Sequence, residues 1–369
     1  MSAVVRLRLL AGVLTTSGAT LALLNTPSIR AFLSRHLPSQ TAKYLLRSLL
    51  LLFAWLNVKN LPFFWHIRVF QGIIYQLYFQ PHPQKPKHLF APLITSSYTS
   101  IWETDYNFHK SNSTYFADLD VARAHFVGCI VRTGLTRLNK GDEEGLPGAS
   151  VKEKGAYIVA LGGVSCFFRR QIEPLQQFEI FTRLLSWDRK WLYTVSHIVK
   201  KGAVKPSSYV LQPGRRSRRQ QSDATRDEED PTKFVYATSV ARYVFKKGRL
   251  TINPEIVLER SRLLPPRPFG ISLPPRAEAV PSQDAATPEG SETSNRQVNG
   301  TRTPETSDSI AQPSEVMQQS TEDLDDWTWN DMEAERLRGL DFAKHFDALS
   351  AVQDDLKTDV VLGQYGDYW

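Results

Sequence analysis

One stretch about a third of the way along the chain limits what this sequence can fold into. Residues 113–133 place apolar side chains at helical spacing and predict one long helix, with an apolar face formed by Phe116, Leu119, Ala122, Val127 and Ile130. Several apolar runs follow and are typical of β-strands, at 156–170, 177–187, 191–200 and 233–245. One long helix accompanied by several strands indicates an α+β domain, although this pattern alone does not name the fold.

The segment that leads into this helix carries residues suited to chemistry. An alternating aromatic and β-branched run up to Trp102 predicts a strand, and polar residues 107–112 then offer turn and cap chemistry. Asp105 therefore lies between a strand end and a helix start that Asn112 or Ser113 can cap. A carboxylate beside the free N–H groups of a helix start is suited to acyl transfer, because it can activate a nucleophile while the N–H groups bind an oxyanion.

Seven residues in this segment and in the helix that follows form a spaced pattern: Asp105, His109, Asn112, Tyr115, Asp120, Ala122 and Arg123. Their arrangement resembles the signature of hotdog-fold thioesterases of the 4-hydroxybenzoyl-CoA thioesterase type, D-x-D-x-x-G-H-V-N-N-x-x-Y followed by a helix with an acid and Ala-Arg. The chain departs from that signature at Glu103, Phe108 and Ser111, which replace Asp, Gly and Asn. The resemblance covers about residues 90–262 without the insertions. It is closest to the thioesterase superfamily member 6 group and to fungal thioesterase-like proteins of secondary-metabolite clusters.

The resemblance implies a hotdog fold, in which an antiparallel sheet wraps around a long central helix. It also implies hydrolysis of an acyl-CoA or acyl-carrier-protein thioester, with a role in fungal secondary metabolism. Relatives assemble as homodimers or larger homo-oligomers with each site at an interface, and neither a cofactor nor a metal is implied. Two alternatives stay open. One is a non-catalytic membrane-associated protein that binds acyl chains or partners, and the other is a hotdog hydratase or dehydratase.

Eight residues are expected to form the site. The catalytic candidates are Asp105, His109 and Asp120, and the substrate-binding candidates are Asn112, Ser113, Tyr115, Arg169 and Arg170. In the resembled family the residue matching Asp105 is a nucleophile or general base, whereas the structural alternative is a loop acid in an Asx-type turn. Asp120 either takes part in the chemistry or pairs with Arg123 one helical turn away. The two arginines are expected to meet CoA phosphates at a subunit edge.

The first 80 residues are predicted to be an apolar, helical, membrane-associated region. Residues 1–102 contain ten Lys or Arg and no Asp or Glu, so the net charge of +7 is unevenly placed and favours an anionic membrane surface over nucleic acid. Leu45–Val58 is too short to span a bilayer. Phe63–Phe79 mixes aromatic and basic residues and predicts either an interfacial helix or a hairpin on the protein's own core. We expect an intracellular membrane protein, in the endoplasmic reticulum or the mitochondrion.

Composition divides the remainder. Residues 81–92 are rich in proline and predict a stiff linker, and 93–262 are expected to form the hotdog domain with a mobile charged insertion at 202–231. Residues 263–325 predict a disordered linker, and 326–369 a helical segment that docks on the domain or binds a partner. Cys129 and Cys166 have neither disulfide-framework nor zinc-site spacing and are expected to be small core residues.

Overall fold

The computed structural model describes residues 26–28, 31, 40–144, 146, 148–215, 230–268, 327–349 and 352. Three predicted features fall mainly outside this part of the chain. They are the start of the apolar N-terminal region (1–25), the charged centre of the insertion (216–229) and the disordered linker 263–325, of which only 263–268 are described.

In chain order the helices are α1 (Gln40–Leu56), α2 (Phe64–Ile74), α3 (Asn112–Asn139), α4 (Gly148–Lys152), α5 (Pro254–Arg260) and α6 (Trp329–Ala348). The strands are β1 (Leu93–Tyr98), β2 (Tyr157–Phe168), β3 (Gln177–Trp187), β4 (Trp191–Lys200), β5 (Val235–Lys247) and β6 (Leu250–Ile252). Short 3₁₀ turns lie at Val58–Asn60, Pro86–His88, Ile101–Glu103 and Pro231–Phe234, and a π-helical turn lies at Tyr75–Phe79.

The strands form one antiparallel sheet in the order β1-β3-β4-β5-β2, with β6 paired to β5. The inner face of the sheet packs on α3. The first half of the helix buries Leu119 and Ala122 against Phe178 and Ile180 of β3, and the second half contributes to a larger core that includes Phe126. This is the predicted α+β arrangement, in which alternating strands turn every second side chain toward a central helix.

The prediction of a strand up to Trp102 is wrong. β1 ends at Tyr98, and Ile101–Glu103 form a 3₁₀ turn instead. The reason is a capping box: the Ser100 N–H donates to Glu103 Oε2 at 3.0 Å, and the Ser100 side chain accepts from the Glu103 N–H. The helix that follows is longer than predicted, because α3 continues to Asn139.

Gly162-Gly163 in β2 predicts a bulge or a close backbone approach, and the structure confirms both. The pairing of β2 with β5 shifts register between Leu161 and Gly163. A Cβ on Gly162 would lie 2.2 Å from Cζ3 of Trp191, so only glycine fits beneath this ring.

The outer face of the sheet is partly covered by α6. Ala343 packs in a cluster with Leu185, Tyr193 and Val195, and the Ser186 hydroxyl donates to the Arg336 carbonyl at 2.6 Å. The C-terminal helical segment therefore docks on the domain, which was one of its two predicted roles.

The N-terminal region lies against the other side of α3. Gly72 of α2 packs on the His125 ring, and Arg132 donates to the carbonyls of Gln76 and Gln80 at 2.9 Å each. α1, by contrast, exposes most of its apolar side chains. None of the described helices combines the length and apolar character needed to cross a bilayer. In the predicted linker, Leu89 is buried in the main core.

Candidate active site

A cavity of about 300 Å³ lies at the start of α3. Its walls come from the loop 104–109, the first turn of α3 and the end of β2. It is lined by Asp105, Asn107, His109, Lys110, Asn112, Tyr115, Phe168, Arg169, Arg170 and Gln171. Six of the eight predicted site residues thus meet in one place, although they come from segments up to 65 positions apart in the sequence.

The loop holds Asp105 through its own backbone. Asp105 Oδ1 accepts the Asn107 N–H at 2.8 Å and the His109 N–H at 3.4 Å, and the Asp105 N–H donates to the His109 carbonyl at 2.9 Å. The loop thus forms the Asx-type turn that was the alternative prediction for Asp105. The same turn also places the Asp105 carboxylate on the cavity wall. Within the described part of the chain, Oδ2 makes no hydrogen bond. One oxygen therefore fixes the loop while the other is free to act.

Phe108 occupies the position where the resembled signature has glycine, and its φ of 60° lies in the left-handed region. This backbone conformation suits glycine and strains most other residues. The turn is kept without the glycine, and the phenyl ring points into solvent. The departure from the signature therefore preserves the shape of the loop.

The helix start differs slightly from the prediction. Ser111, rather than Asn112 or Ser113, is the N-cap residue of α3, and its carbonyl accepts the Thr114 N–H at 3.0 Å. Ser113 is exposed, contacts the Ser111 hydroxyl at 3.1 Å and does not line the cavity. The first N–H groups of a helix have no intrahelical acceptor, and they form the positive end of its dipole. Asn112, which does line the cavity, belongs to this first turn.

Asp120 lies apart from the cavity lining. Its Oδ1 accepts the Arg123 Nη2 at 2.6 Å, and Arg123 is buried. This is the pairing alternative, and it gives the Asp120 carboxylate a structural role. Asp120 makes no contact with Asp105 or His109 that would support the predicted catalytic role.

Tyr115, Arg169 and Arg170 close the other walls. Tyr115 is buried, its ring stacks edge-on to Phe168 with centroids 4.9 Å apart, and burial raises the pKa of its hydroxyl. The backbone N–H groups of both arginines donate to the Tyr236 carbonyl at 2.8 and 3.0 Å, which fixes the chain beyond β2. Their exposed side chains form a basic rim.

Sequence reasoning missed a buried ion cluster beneath the loop. We define it as Lys59, Arg68, Glu103, Lys110 and Asp118. Lys59 Nζ lies 2.8 Å from Glu103 Oε2 and 3.0 Å from Asp118 Oδ2, and Lys110 Nζ lies 3.1 and 2.9 Å from the same two atoms. Arg68 Nη2 reaches Asp118 Oδ1 at 2.8 Å. Lys110 and Asp118, on either side of the polar first turn of α3, are the local sequence signal for this cluster.

Burial and charge act against each other in this ion cluster. Burial alone would raise the pKa of Asp118, but Lys59, Lys110 and Arg68 outweigh it and hold that pKa below its ordinary value. Burial lowers the pKa of the Lys59 ammonium, against the opposing pull of the Asp118 and Glu103 carboxylates. The described residues contain no group of His, Cys, Asp or Glu side chains arranged to hold a metal ion.

Comparison with known proteins relates this chain to thioesterases. Residues 99–215 match the thioesterase-like superfamily. The chain is 37% identical over 256 residues to the probable thioesterase atnL of Emericella nidulans. This alignment covers 64% of this chain and 78% of that protein. It is also 30% identical over 325 residues to thioesterase poxG of Penicillium oxalicum. That alignment covers 84% of this chain and 87% of the relative. Among solved structures, the probable thioesterase YbaW of Escherichia coli is 12% identical over 46% of this chain and 96% of that chain, with a TM-score of 0.27. This chain belongs to the thioesterase-like superfamily, and the predictions of a hotdog fold and of an acyl thioester hydrolase are confirmed.

Proposed function

We propose that the cavity at the start of α3 hydrolyses an acyl thioester with Asp105 as general base. The observation that carries this proposal is the placement of Asp105 and Asn112 on the walls of one cavity. Asp105 Oδ2 takes a proton from water, and the resulting hydroxide attacks the thioester carbonyl. The N–H groups of the first turn of α3 stabilise the oxyanion. Collapse then expels the thiolate, which receives the proton from Asp105, so the products are a carboxylic acid and a thiol.

The remaining lining residues suit a thioester with a phosphate-bearing arm. Arg169 and Arg170 at the rim are guanidinium groups, which pair well with phosphates of CoA or of the pantetheine arm of a carrier protein. His109 lies beside Asp105 and can orient the substrate carbonyl. Tyr115 and Phe168 form an aromatic wall for the acyl group. The resemblance to fungal thioesterase-like proteins of secondary-metabolite clusters, together with the identity to the two fungal thioesterases named above, supports placing the reaction in secondary metabolism.

A thiol-release assay tests the function. The full chain is mixed with a panel of acyl-CoA and acyl-carrier-protein thioesters of different chain length and aromatic character, and free thiol is followed with a chromogenic reagent. We expect release with at least one substrate class. Hydration of an enoyl-CoA without thiol release would instead assign a hydratase, and binding of acyl-CoA without turnover across the panel would assign an acyl-binding protein.

We propose a homodimer formed along β2. β2 is an end strand of the sheet, and it pairs with β5 on one side only. Among the described strands no other one pairs with its free edge, and it exposes four apolar side chains, Ile158, Leu161, Phe167 and Phe168. A long open strand edge with apolar side chains is a template for pairing with another chain. Since β2 ends at Phe168 on the cavity wall, a second copy paired there would complete the site.

The double variant Ile158→Lys/Leu161→Lys is expected to convert the dimer to a monomer, because like charges would face each other across the strand pair. Sedimentation velocity measures the change, with circular dichroism to verify the fold. Leu337→Lys, at an exposed position on α6, is the control that should remain dimeric. A monomeric wild type, or a double variant that stays dimeric, contradicts the proposal.

We also propose that the N-terminal helices attach the protein to an intracellular membrane, with the endoplasmic reticulum and the mitochondrion as candidates. Support comes from exposed apolar side chains on α1, at the start of α2 and on α2 itself, including Leu51, Trp55, Phe63 and Phe70. Residues 1–102 contain no acidic side chain, which favours an anionic lipid surface. The side of α2 that faces α3 is already occupied, so the outward side is the one left for lipid.

Vesicle flotation checks this attachment. The wild type should float with vesicles of phosphatidylcholine and phosphatidylserine, and less with phosphatidylcholine alone. Leu51→Glu/Trp55→Glu should remain in solution, because each charge at bilayer depth opposes insertion. Leu337→Glu/Phe342→Glu, which changes exposed apolar residues on α6, is the matched control and should float like the wild type. Equal flotation of both variants would exclude α1 as the attachment surface.

A further inference from the structure

The loop that carries Asp105 is closed at a narrow neck. Thr104 and Lys110 form an antiparallel bridge across it, and the Ser111 N–H donates to the Glu103 carbonyl at 2.7 Å. The side chains of Glu103 and Lys110 leave the neck in the same direction and meet at 3.1 Å inside the ion cluster. The position of Asp105, two residues beyond Glu103, is therefore set by what holds these two side chains.

Lys59 joins the neck from outside the hotdog domain. Its ammonium is within hydrogen-bonding distance of three elements: the neck at Glu103 (2.8 Å), α3 at Asp118 (3.0 Å) and the end of β1 at the Tyr98 carbonyl (2.6 Å). The Lys59 side chain is only 5% exposed. Water from the surface does not reach this buried position to take over the hydrogen bonds of the ammonium. Removal of the ammonium therefore disturbs the arrangement of its three partners.

Two further hydrogen bonds near Lys59 also connect the N-terminal segment to the region of the neck. Asn57 Oδ1 accepts the Trp102 N–H at 2.8 Å, and Asn60 Nδ2 donates to the Ser100 hydroxyl. Both contacts join the N-terminal segment to the 3₁₀ turn that precedes the neck. The segment before the domain thus holds the loop that carries Asp105 at the point where the chain enters it.

We propose that Lys59 is a positioning residue for the hydrolysis, which it supports by fixing the neck of the loop and hence Asp105. The inference rests on the proposed role of Asp105. Lys59 itself does not line the cavity, whereas its cluster neighbour Lys110 does. Without Lys59, Glu103 keeps only Lys110 as a cation within the ion cluster, so the neck loses its ionic link to the N-terminal segment.

The test is a double-mutant cycle in the full chain between Lys59→Met and Asp105→Asn, with thiol release as the readout. In the wild-type background Lys59→Met should lower kcat at least about tenfold with little change in KM, because a small misplacement of a reacting group has a large effect on rate. In the Asp105→Asn background it should have almost no further effect, because the group that it positions is already gone. Lys43→Met, at an exposed position of α1, is the matched control and should keep wild-type turnover.

The cycle separates positioning from a general loss of folded protein. If Lys59 only stabilises the fold, Lys59→Met lowers turnover by the same factor in both backgrounds, and the inference is overturned. Lys59→Arg, which keeps the charge, should retain more kcat than Lys59→Met. Wild-type kcat in a folded Lys59→Met protein also overturns it. If Asp105→Asn itself keeps full activity, the proposed function fails instead, whatever Lys59→Met does.

Discussion

Asp105→Asn is expected to lower kcat for thioester hydrolysis at least about a hundredfold, which is within the usual contribution of a general base. An amide cannot take a proton from water, whereas its oxygen can still accept the Asn107 and His109 N–H groups that Asp105 Oδ1 accepts now. The substitution therefore removes the chemistry and keeps the turn. Steady-state kinetics on the best thioester of the panel measures the change, and KM should stay near the wild-type value.

Asp105→Ala provides the comparison that separates the two functions of this side chain. It should lose as much turnover as Asp105→Asn and, in addition, about 1 kcal/mol of stability, since the loop N–H groups lose their acceptor. Asp341→Asn, on the exposed face of α6, should leave kcat unchanged. Wild-type turnover in Asp105→Asn would remove the general-base assignment and leave the cavity as a binding site.

The largest expected effect on stability comes from Asp118→Asn. The substitution leaves Lys59, Lys110 and Arg68 around a neutral amide, with Glu103 as the only carboxylate of the ion cluster. Removing one partner from a buried ion pair destabilises a protein by about 3–5 kcal/mol, because the remaining charge is desolvated and uncompensated. Thermal unfolding should show a Tm lower by on the order of 10 °C.

The pH dependence gives this prediction a second readout. The cations of the ion cluster hold the pKa of Asp118 below its ordinary value of 3.8, against the opposing effect of burial. A carboxyl group whose pKa is lowered by folding stabilises the protein above its unfolded-state pKa, and this contribution declines as the pH falls below that value. The stability difference between wild type and Asp118→Asn should thus be full near neutral pH and shrink below about pH 4. Asp341→Asn, in an exposed pair, should differ from wild type by less than about 1 kcal/mol.

Much of the fold could be predicted because its signals are local. The alternation of apolar residues gave the bounds of β3 and β4, and helical spacing located α3. The strand up to Trp102 failed, because a capping box between Ser100 and Glu103 overrides the alternating pattern there. β6 and α5 are short, and they depend on packing rather than on periodicity.

The candidate site was predictable for a different reason. Asp105, His109, Asn112 and Tyr115 lie within 11 residues of one another, so a spacing pattern can identify them. Lys59 is separated from Asp118 by 59 positions, and no periodicity connects them. Only the folded chain brings α2, the neck of the loop and α3 together. The part of the site that the sequence concealed is the part that depends on tertiary contacts.

The ion cluster also changes what can be regarded as a transferable module of this protein. By composition the proline-rich residues 81–92 look like the place to cut, yet a fragment that begins there leaves two buried carboxylates, Glu103 and Asp118, with Lys110 alone. Such a fragment carries an excess of negative charge in its interior. We therefore expect that a fragment able to fold by itself must begin ahead of Asn57, so chimaeras and expression fragments of this chain are better cut there than in the proline-rich segment.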